Sequence, residues 1–220
     1  MAVWAVLVAA GTGERLGRDR PKAFAKLAER PLLAESLERL EASAWIDAVV
    51  VVAPPGWEEP SILLAEELAA SKVVACVAGG ATRAESVRAG VDEVGPDAEV
   101  VVVHDAARPV LVEDVLERVL TALNEGWDGA VPVLPLADTV KRVDGRRVVE
   151  TLARDELVAV QTPQAFLAPV LREALAGELG VATDCASLVE AGGRVAAVRG
   201  DRRLLKVTEQ ADLDLVTSFL

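Results

Sequence analysis

Leu7-Val8-Ala9-Ala10-Gly11-Thr12-Gly13-Glu14-Arg15-Leu16-Gly17-Arg18-Asp19-Arg20-Pro21-Lys22-Ala23-Phe24-Ala25-Lys26 joins an apolar run to a basic, glycine-rich loop. The run Ala2 to Ala10 reads as a buried strand, and it empties into a loop punctuated by Gly11, Gly13 and Gly17. Residues 1–26 hold five basic side chains (Arg15, Arg18, Arg20, Lys22, Lys26) against two acidic ones, in a chain of net charge −12. Glycines let backbone N–H groups approach a ligand closely, and clustered cations suit a polyphosphate. The carboxyl end of a first strand is also where open α/β sheets hold nucleotides. The stretch reads as a triphosphate-binding loop, with a solvated basic surface as the plain alternative.

The 220 residues suffice for one domain with a full core. Apolar residues make up 52% and aromatic ones only 3%, so the core must be built from Ala, Val and Leu, as in parallel strands covered by helices. The acidic balance argues against general binding to nucleic acid or anionic membranes, so a polyanion needs a local cationic cluster. No apolar run is long enough for a membrane span, and the amino end lacks the pattern of a signal peptide. Cys76 and Cys185 lie far apart without metal spacing and read as reduced thiols. Together these features point to a cytoplasmic protein.

Strand and helix patterns alternate through the first two-thirds of the chain. Helices are expected over about 33–44, 58–71, from Thr82 onward and over about 113–125, with strands at Asp47–Ala53, Val73–Ala78 and Val100–His104. Thr82-Arg83-Ala84-Glu85 has capping-box spacing, and Gly126 closes the fourth helix. The pattern then changes near Val131. Val140 to Val143, Asp144-Gly145 and Arg147 to Leu152 read as a β-hairpin without a clear apolar face, either an arm projecting onto a partner or an ordinary surface excursion. Helices over 168–178, 184–191 and 209–219 and a strand at Val195–Val198 follow. The expected fold is α/β: a doubly wound, mostly parallel Rossmann-like sheet with helices on both faces and a projecting β-arm at about 136–154.

Gly11-x-Gly13-x-x-x-Gly17 is one residue too long for a dinucleotide fingerprint, and the second strand ends in Ala53-Pro54 with no acid for a ribose. No Gly-Lys-Ser/Thr makes a P-loop either. His104-Asp105-Ala106-Ala107-Arg108-Pro109 ends a central strand, where Asp105 could hold a Mg²⁺ that bridges phosphates; the alternative is a turn with an Asp–Arg pair. His104, the single histidine, reads as structural. Lys206-Val207-Thr208, Thr162-Pro163-Gln164 and Thr183-Asp184 are weak signals taken singly.

In combination, these segments resemble the 2-C-methyl-D-erythritol 4-phosphate cytidylyltransferase family of the non-mevalonate isoprenoid pathway. The resemblance rests on Ala9-Ala10-Gly11-x-Gly13-x-Arg15-Leu16, Pro21-Lys22, Gly79-Gly80-x-x-Arg83-x-x-Ser86-Val87 and His104 to Pro109. It continues through Asp138-Thr139-Val140-Lys141, Arg154, Thr162-Pro163-Gln164-x-Phe166, Thr183-Asp184 and Lys206-Val207-Thr208. These pieces run in family order over nearly the whole chain.

The resemblance implies a CTP site formed by Ala10, Gly11, Thr12, Gly13, Gly80, Ala81, Ser86 and Ala107. Arg15, Lys22 and Lys206 would be the catalytic cations, and Asp105 would bind both Mg²⁺ and substrate. Ala81 replaces a polar residue often seen at its position. Arg108, Thr139, Arg154, Thr162 and Thr183 would surround the polyol phosphate acceptor. Thr139 and Arg154 would reach the neighbouring subunit's site from the arm of a homodimer. The implied reaction is attack of the acceptor phosphate on the α-phosphorus of CTP. Rival readings are a ribitol-5-phosphate cytidylyltransferase, a sugar-1-phosphate nucleotidyltransferase, a nicotinamide-dependent oxidoreductase and a non-catalytic nucleotide-binding module. With no length left for a fused cyclodiphosphate synthase, a monofunctional enzyme is expected.

Overall fold

The structure, a computed structural model, describes residues 1–11, 13, 20–179, 182 and 184–220. Strands are β1 (Val3–Val8), β2 (Lys26–Leu27), β3 (Arg30–Pro31), β4 (Ala48–Ala53), β5 (Val73–Ala78) and β6 (Val100–Asp105). They continue with β7 (Gly129–Pro135), β8 (Lys141–Asp144), β9 (Arg147–Thr151), β10 (Val158–Val160), β11 (Gln164–Leu167) and β12 (Val195–Arg199). The helices are α1 (Leu32–Ala42), α2 (Glu58–Glu67), α3 (Arg83–Asp92), α4 (Glu113–Asn124), α5 (Ala168–Ala176), α6 (Ala186–Val189) and α7 (Gln210–Thr217).

Among the described residues the main sheet has eight strands. The order β5-β4-β1-β6 is parallel throughout. From β1 the chain moves first to β4 on one side and later to β6 on the other, which opens a crevice at the carboxyl ends of β1 and β6. Antiparallel β11 follows β6 and pairs with β7. β10 continues along the same edge of β7, and β12 runs parallel along its other edge.

The apolar runs become strands because both of their faces are covered. Ala5, Leu7, Val49, Val51, Val100 and Val102 face a core completed by Leu33, Leu37 and Leu40 of α1 and Leu116, Val119 and Leu120 of α4. The alternate residues Val6, Val50, Val52, Val101 and Val103 face the opposite core, with Val87 and Val91 of α3 and Leu171 and Leu175 of α5. This is the period-2 alternation of strands in a sheet covered on both sides. A third, smaller core joins Leu27, Leu32, Val110, Val112, Leu204, Val207, Leu213 and Val216.

Several expected boundaries shift. The helix expected to run to 71 ends at Glu67, and Ala69 adopts a positive φ of 51°. The helix expected over 184–191 is the single turn Ala186–Val189. Strands β7, β10 and β11 had no counterpart in the sequence reading. β8 and β9 form their own two-stranded sheet, every residue of which is exposed. Among the described residues, no helix is long and apolar enough to cross a membrane.

Gly90 on α3 lies where helix and sheet approach closely. A Cβ there would lie 2.5 Å from Val6 Cγ1 and 2.6 Å from Val52 Cγ2. Alanine would gain about 1 kcal/mol of helix propensity but overpack the interface by about 1–3 kcal/mol. A lower urea midpoint is expected for Gly90→Ala, and a raised midpoint would contradict this packing.

Candidate functional site

The crevice is a cleft of about 700 Å³, within the range of small-molecule sites. Its floor is Val8 to Gly11, Gly13 and Asp105 to Ala107, and its walls bring in Lys22, Pro55, Gly80 to Arg83, Ser86, Lys206 and Thr208. Chain regions distant in sequence meet here because β1, β5 and β6 all end on this side. Among the described residues lining the cleft are three cations, Lys22, Arg83 and Lys206, and a single carboxylate, Asp105.

Asp105 is the electrostatic hub. Its Oδ1 accepts from Arg83 Nε at 3.0 Å and Nη2 at 2.9 Å, and its Oδ2 accepts from Lys206 Nζ at 2.7 Å. The carboxylate side chain is 7% exposed. Burial alone would raise its pKa, but the charges of Arg83 and Lys206 outweigh that and hold it far below the usual carboxylate range. Arg83 Nη1 also donates to Cys185 Sγ at 3.6 Å, and burial pushes that thiol up to about 11. Cys185 is therefore an unreactive neutral thiol, and both cysteines are unpaired.

The turn after β6 is held by a directed chain of hydrogen bonds. The Arg108 carbonyl can only accept, so His104 Nε2, 3.0 Å away, carries the ring proton. Nδ1 is then the acceptor and takes the Thr162 hydroxyl at 3.0 Å, while Thr162 Oγ1 accepts the Asp105 N–H at 3.1 Å. Arg108 Nη1 donates to the Leu204 carbonyl at 2.5 Å, and Gln161 exchanges hydrogen bonds with the Asp201 backbone at 2.9 and 3.1 Å. The Val207 N–H reaches the Ala107 carbonyl at 2.8 Å. These links bolt the segment carrying Lys206 onto the end of β6.

On the opposite wall, Ser86 Oγ accepts from the Gly80 N–H at 3.1 Å and donates to the Thr82 carbonyl at 2.9 Å, and Thr82 and Glu85 complete the capping box of α3. Gly13 has φ +74°, and a Cβ there would meet Lys22 Cβ at 2.8 Å, so the glycine loop packs directly on Lys22.

The cleft brings together Ala10, Gly11, Gly13, Lys22, Gly80, Ala81, Ser86, Asp105, Ala107 and Lys206 from the sequence-predicted set. Thr12, Arg15 and Thr183 lie outside the described residues. Arg20 and Lys26 are exposed and do not line the cleft. Arg108 and Thr162 lie behind it. Thr162 is 3% exposed, with its hydroxyl already engaged on both sides. Arg108 Nε is buried without a partner. Thr139 and Arg154 are exposed beside the β8–β9 hairpin, where Arg154 donates to the Ala137 carbonyl, and neither lines this chain's own cleft. Sequence reading gave Arg83 no role in the site, although its capping-box neighbours Thr82 and Glu85 fix it at the start of α3 beside Asp105.

Among the described residues, no cluster of three or more His, Cys, Asp or Glu could hold a metal by itself. Asp105 alone still suits Mg²⁺, which typically takes one or two carboxylates, substrate phosphates and waters. An ionised carboxylate offers roughly four acceptor positions. Arg83 and Lys206 fill three of them, leaving one on Oδ2.

Residues 3–220 match the family model described as IspD, 2-C-methyl-D-erythritol 4-phosphate cytidylyltransferase. The chain is similar to the enzyme of that name from Frankia casuarinae, at 44% identity over 99% of this chain and 81% of the relative. It is equally similar to that from Saccharopolyspora erythraea, at 44% identity over the full length of both. The crystal structure of the 2-C-methyl-D-erythritol 4-phosphate cytidylyltransferase from Thermus thermophilus superposes with TM-score 0.78 at 34% identity, covering 97% of this chain and 96% of the other.

Burial lowers the His104 pKa from 6.5 to about 4. Because the folded value lies below the unfolded one, the stability it contributes is complete above about pH 6.5 and is lost as pH falls towards about 4. The urea midpoint should decline over that window, and less steeply in His104→Gln. An equal decline in the variant would contradict a buried neutral imidazole.

Proposed function

The chain belongs to the 2-C-methyl-D-erythritol 4-phosphate cytidylyltransferase family, and from that premise we propose how its cleft works. The enzyme joins CTP and 2-C-methyl-D-erythritol 4-phosphate, giving 4-diphosphocytidyl-2-C-methyl-D-erythritol and pyrophosphate in non-mevalonate isoprenoid synthesis. The observation that carries the site assignment is the convergence of Lys22, Arg83 and Lys206 on one cleft, with Arg83 and Lys206 paired to Asp105, in a chain of net charge −12.

CTP lies along Ala10, Gly11, Thr12 and Gly13, where small residues let the backbone approach its phosphates. The base and ribose meet Gly80, Ala81, Ser86 and Ala107. Ser86 acts by fixing the Gly80–Thr82 loop, since its hydroxyl is engaged there. An oxygen of the acceptor phosphate attacks the α-phosphorus in line. A new P–O bond forms as the α–β bridging bond breaks, and pyrophosphate leaves with its electron pair. The phosphate monoester has a second pKa of about 6 and is already a nucleophilic anion at neutral pH. No general base is required, which agrees with a histidine hydrogen-bonded through both ring nitrogens.

The difficulty is bringing two anions together, and fixed cations reduce it. Lys22 and Arg15 hold the triphosphate. Lys206 exchanges Asp105 for the α-phosphate, while Arg83 keeps the carboxylate in place. Mg²⁺, held by Asp105 and phosphate oxygens, would supply further charge neutralisation. Arg108, whose Nε lacks a partner, is assigned to the acceptor phosphate, and so is Thr183 by the resemblance of its motif. Thr162 contributes by fixing Asp105 and His104 rather than by touching substrate.

The molecule works as one nucleotidyltransferase domain in the cytoplasm, assembled as a homodimer. The arm at about 136–154 leaves Val143, Val148 and Val149 exposed, an apolar surface for a second copy. Across that interface Thr139 and Arg154 reach the partner's acceptor pocket.

Pyrophosphate release from CTP and Mg²⁺ is the test, with methylerythritol 4-phosphate and ribitol 5-phosphate supplied separately. Release is expected with the first acceptor only. Lys206→Met should lower turnover by about 10²-fold or more while still binding CTP. Release with ribitol phosphate alone would reassign the acceptor, and undiminished turnover in the variant would remove Lys206 from the chemistry.

A further inference from the structure

Lys22 and Lys206 come from opposite ends of the chain, yet both line the same cleft. Lys22 opens the one-turn segment Lys22–Phe24 that leads into β2, and Lys206 precedes α7. The small third core lies beneath both, with Leu213 and Val216 of α7 packed on Leu27, Leu204 and Val207. One charged residue on this helix reaches back towards the cleft. Asp212 Oδ2 accepts from the Thr208 N–H at 2.7 Å, the Thr208 hydroxyl at 2.6 Å and the Glu209 N–H at 2.9 Å.

Helix capping explains only the last of these. An acidic residue at the third helical position normally accepts the N–H of the capping residue, here Glu209. The two bonds from Thr208 go beyond capping, because Thr208 precedes the cap and forms part of the cleft wall. Burial would raise the Asp212 carboxyl, but its bonds from Thr208 outweigh that, and the nearby charge of Lys22 lowers it further. The residue thus fastens the segment that carries Lys206 and presents its charge to Lys22.

We infer that Asp212 is a positioning residue for the transfer reaction, setting the Lys206–Thr208 segment against the Lys22 turn so that both ammonium groups face the same phosphates. The inference rests on the CTP assignment made above. Asp212 itself touches neither substrate. Its loss has two consequences that can be separated. Misplacing Lys206 weakens stabilisation of the transition state, whereas removing an anion beside a triphosphate site does not weaken ground-state attraction for CTP. A role confined to holding the helix would not divide the effects in this way.

The test compares the full-length wild type with Asp212→Asn, Asp212→Ala and Asp212→Glu. Steady-state turnover is measured with CTP and methylerythritol phosphate, and CTP affinity by calorimetry. Asp212→Asn and Asp212→Ala are expected to lower kcat about tenfold or more while KM and Kd for CTP stay unchanged or fall. Asp212→Glu, which restores the charge and the capping acceptor, should recover most of the lost kcat. Should Asp212→Ala fail to fold, the Asn and Glu variants carry the comparison. Turnover within about twofold of wild type in Asp212→Asn, or a kcat loss matched by an equal weakening of CTP binding, would overturn the inference. An inactive wild type would contradict the CTP assignment itself, and the positioning role with it; an active wild type with unaffected variants would contradict only the latter.

Discussion

The buried carboxylate of Asp105, shared between Arg83 and Lys206, is the interaction on which the site depends. A charge this deeply buried is tolerable only when paired, and removing one partner of such a pair costs about 3–5 kcal/mol. The requirement ties together the start of α3, the end of β6 and the segment after β12. The two partners are not equivalent. Arg83 is 20% exposed and donates twice to the carboxylate, whereas the Lys206 side chain is 40% exposed and donates once. The lysine is thus the partner that can exchange the carboxylate for a phosphate, leaving the arginine to keep Asp105 ionised and in place.

Around this hub the buried polar groups, Arg108 Nε apart, are arranged so that donors meet acceptors. His104, Thr162 and the Asp105 amide form one directed chain, and Gln161 and Arg108 clasp the Asp201–Leu204 backbone. The network explains why a chain with a single histidine keeps it buried and neutral beside the cleft. It also explains why Thr162, adjacent to the cleft, turns no free hydroxyl towards it. The unpartnered Arg108 Nε stands apart as a donor left unused.

Where local pattern and tertiary environment agree, the fold is legible from residues alone. The runs that became β1, β4 and β6 are continuous and apolar because both sheet faces are covered, and Thr82 and Glu85 form the capping box that their spacing implies. Gly126, with φ +93°, follows α4 as expected of a glycine after a helix end. The strands without a sequence signal lack one for physical reasons. β7 contains Pro132 and Pro135, β10 and β11 are three and four residues long, and all take their register from neighbours. At the site, the glycines, His104 to Arg108 and Lys206 were visible as motifs. The pairing of Arg83 with Asp105 was not, since it depends on how α3 approaches β6, and neither was the link from Asp212 to Thr208.

The most direct test of this picture is a crystal structure of the protein with CTP bound. The Arg83–Asp105 contact should persist near its 2.9 Å separation while Lys206 Nζ leaves Asp105 for an α-phosphate oxygen. A bound CTP whose phosphates lie away from Lys206, with the Lys206–Asp105 pair intact, would contradict it.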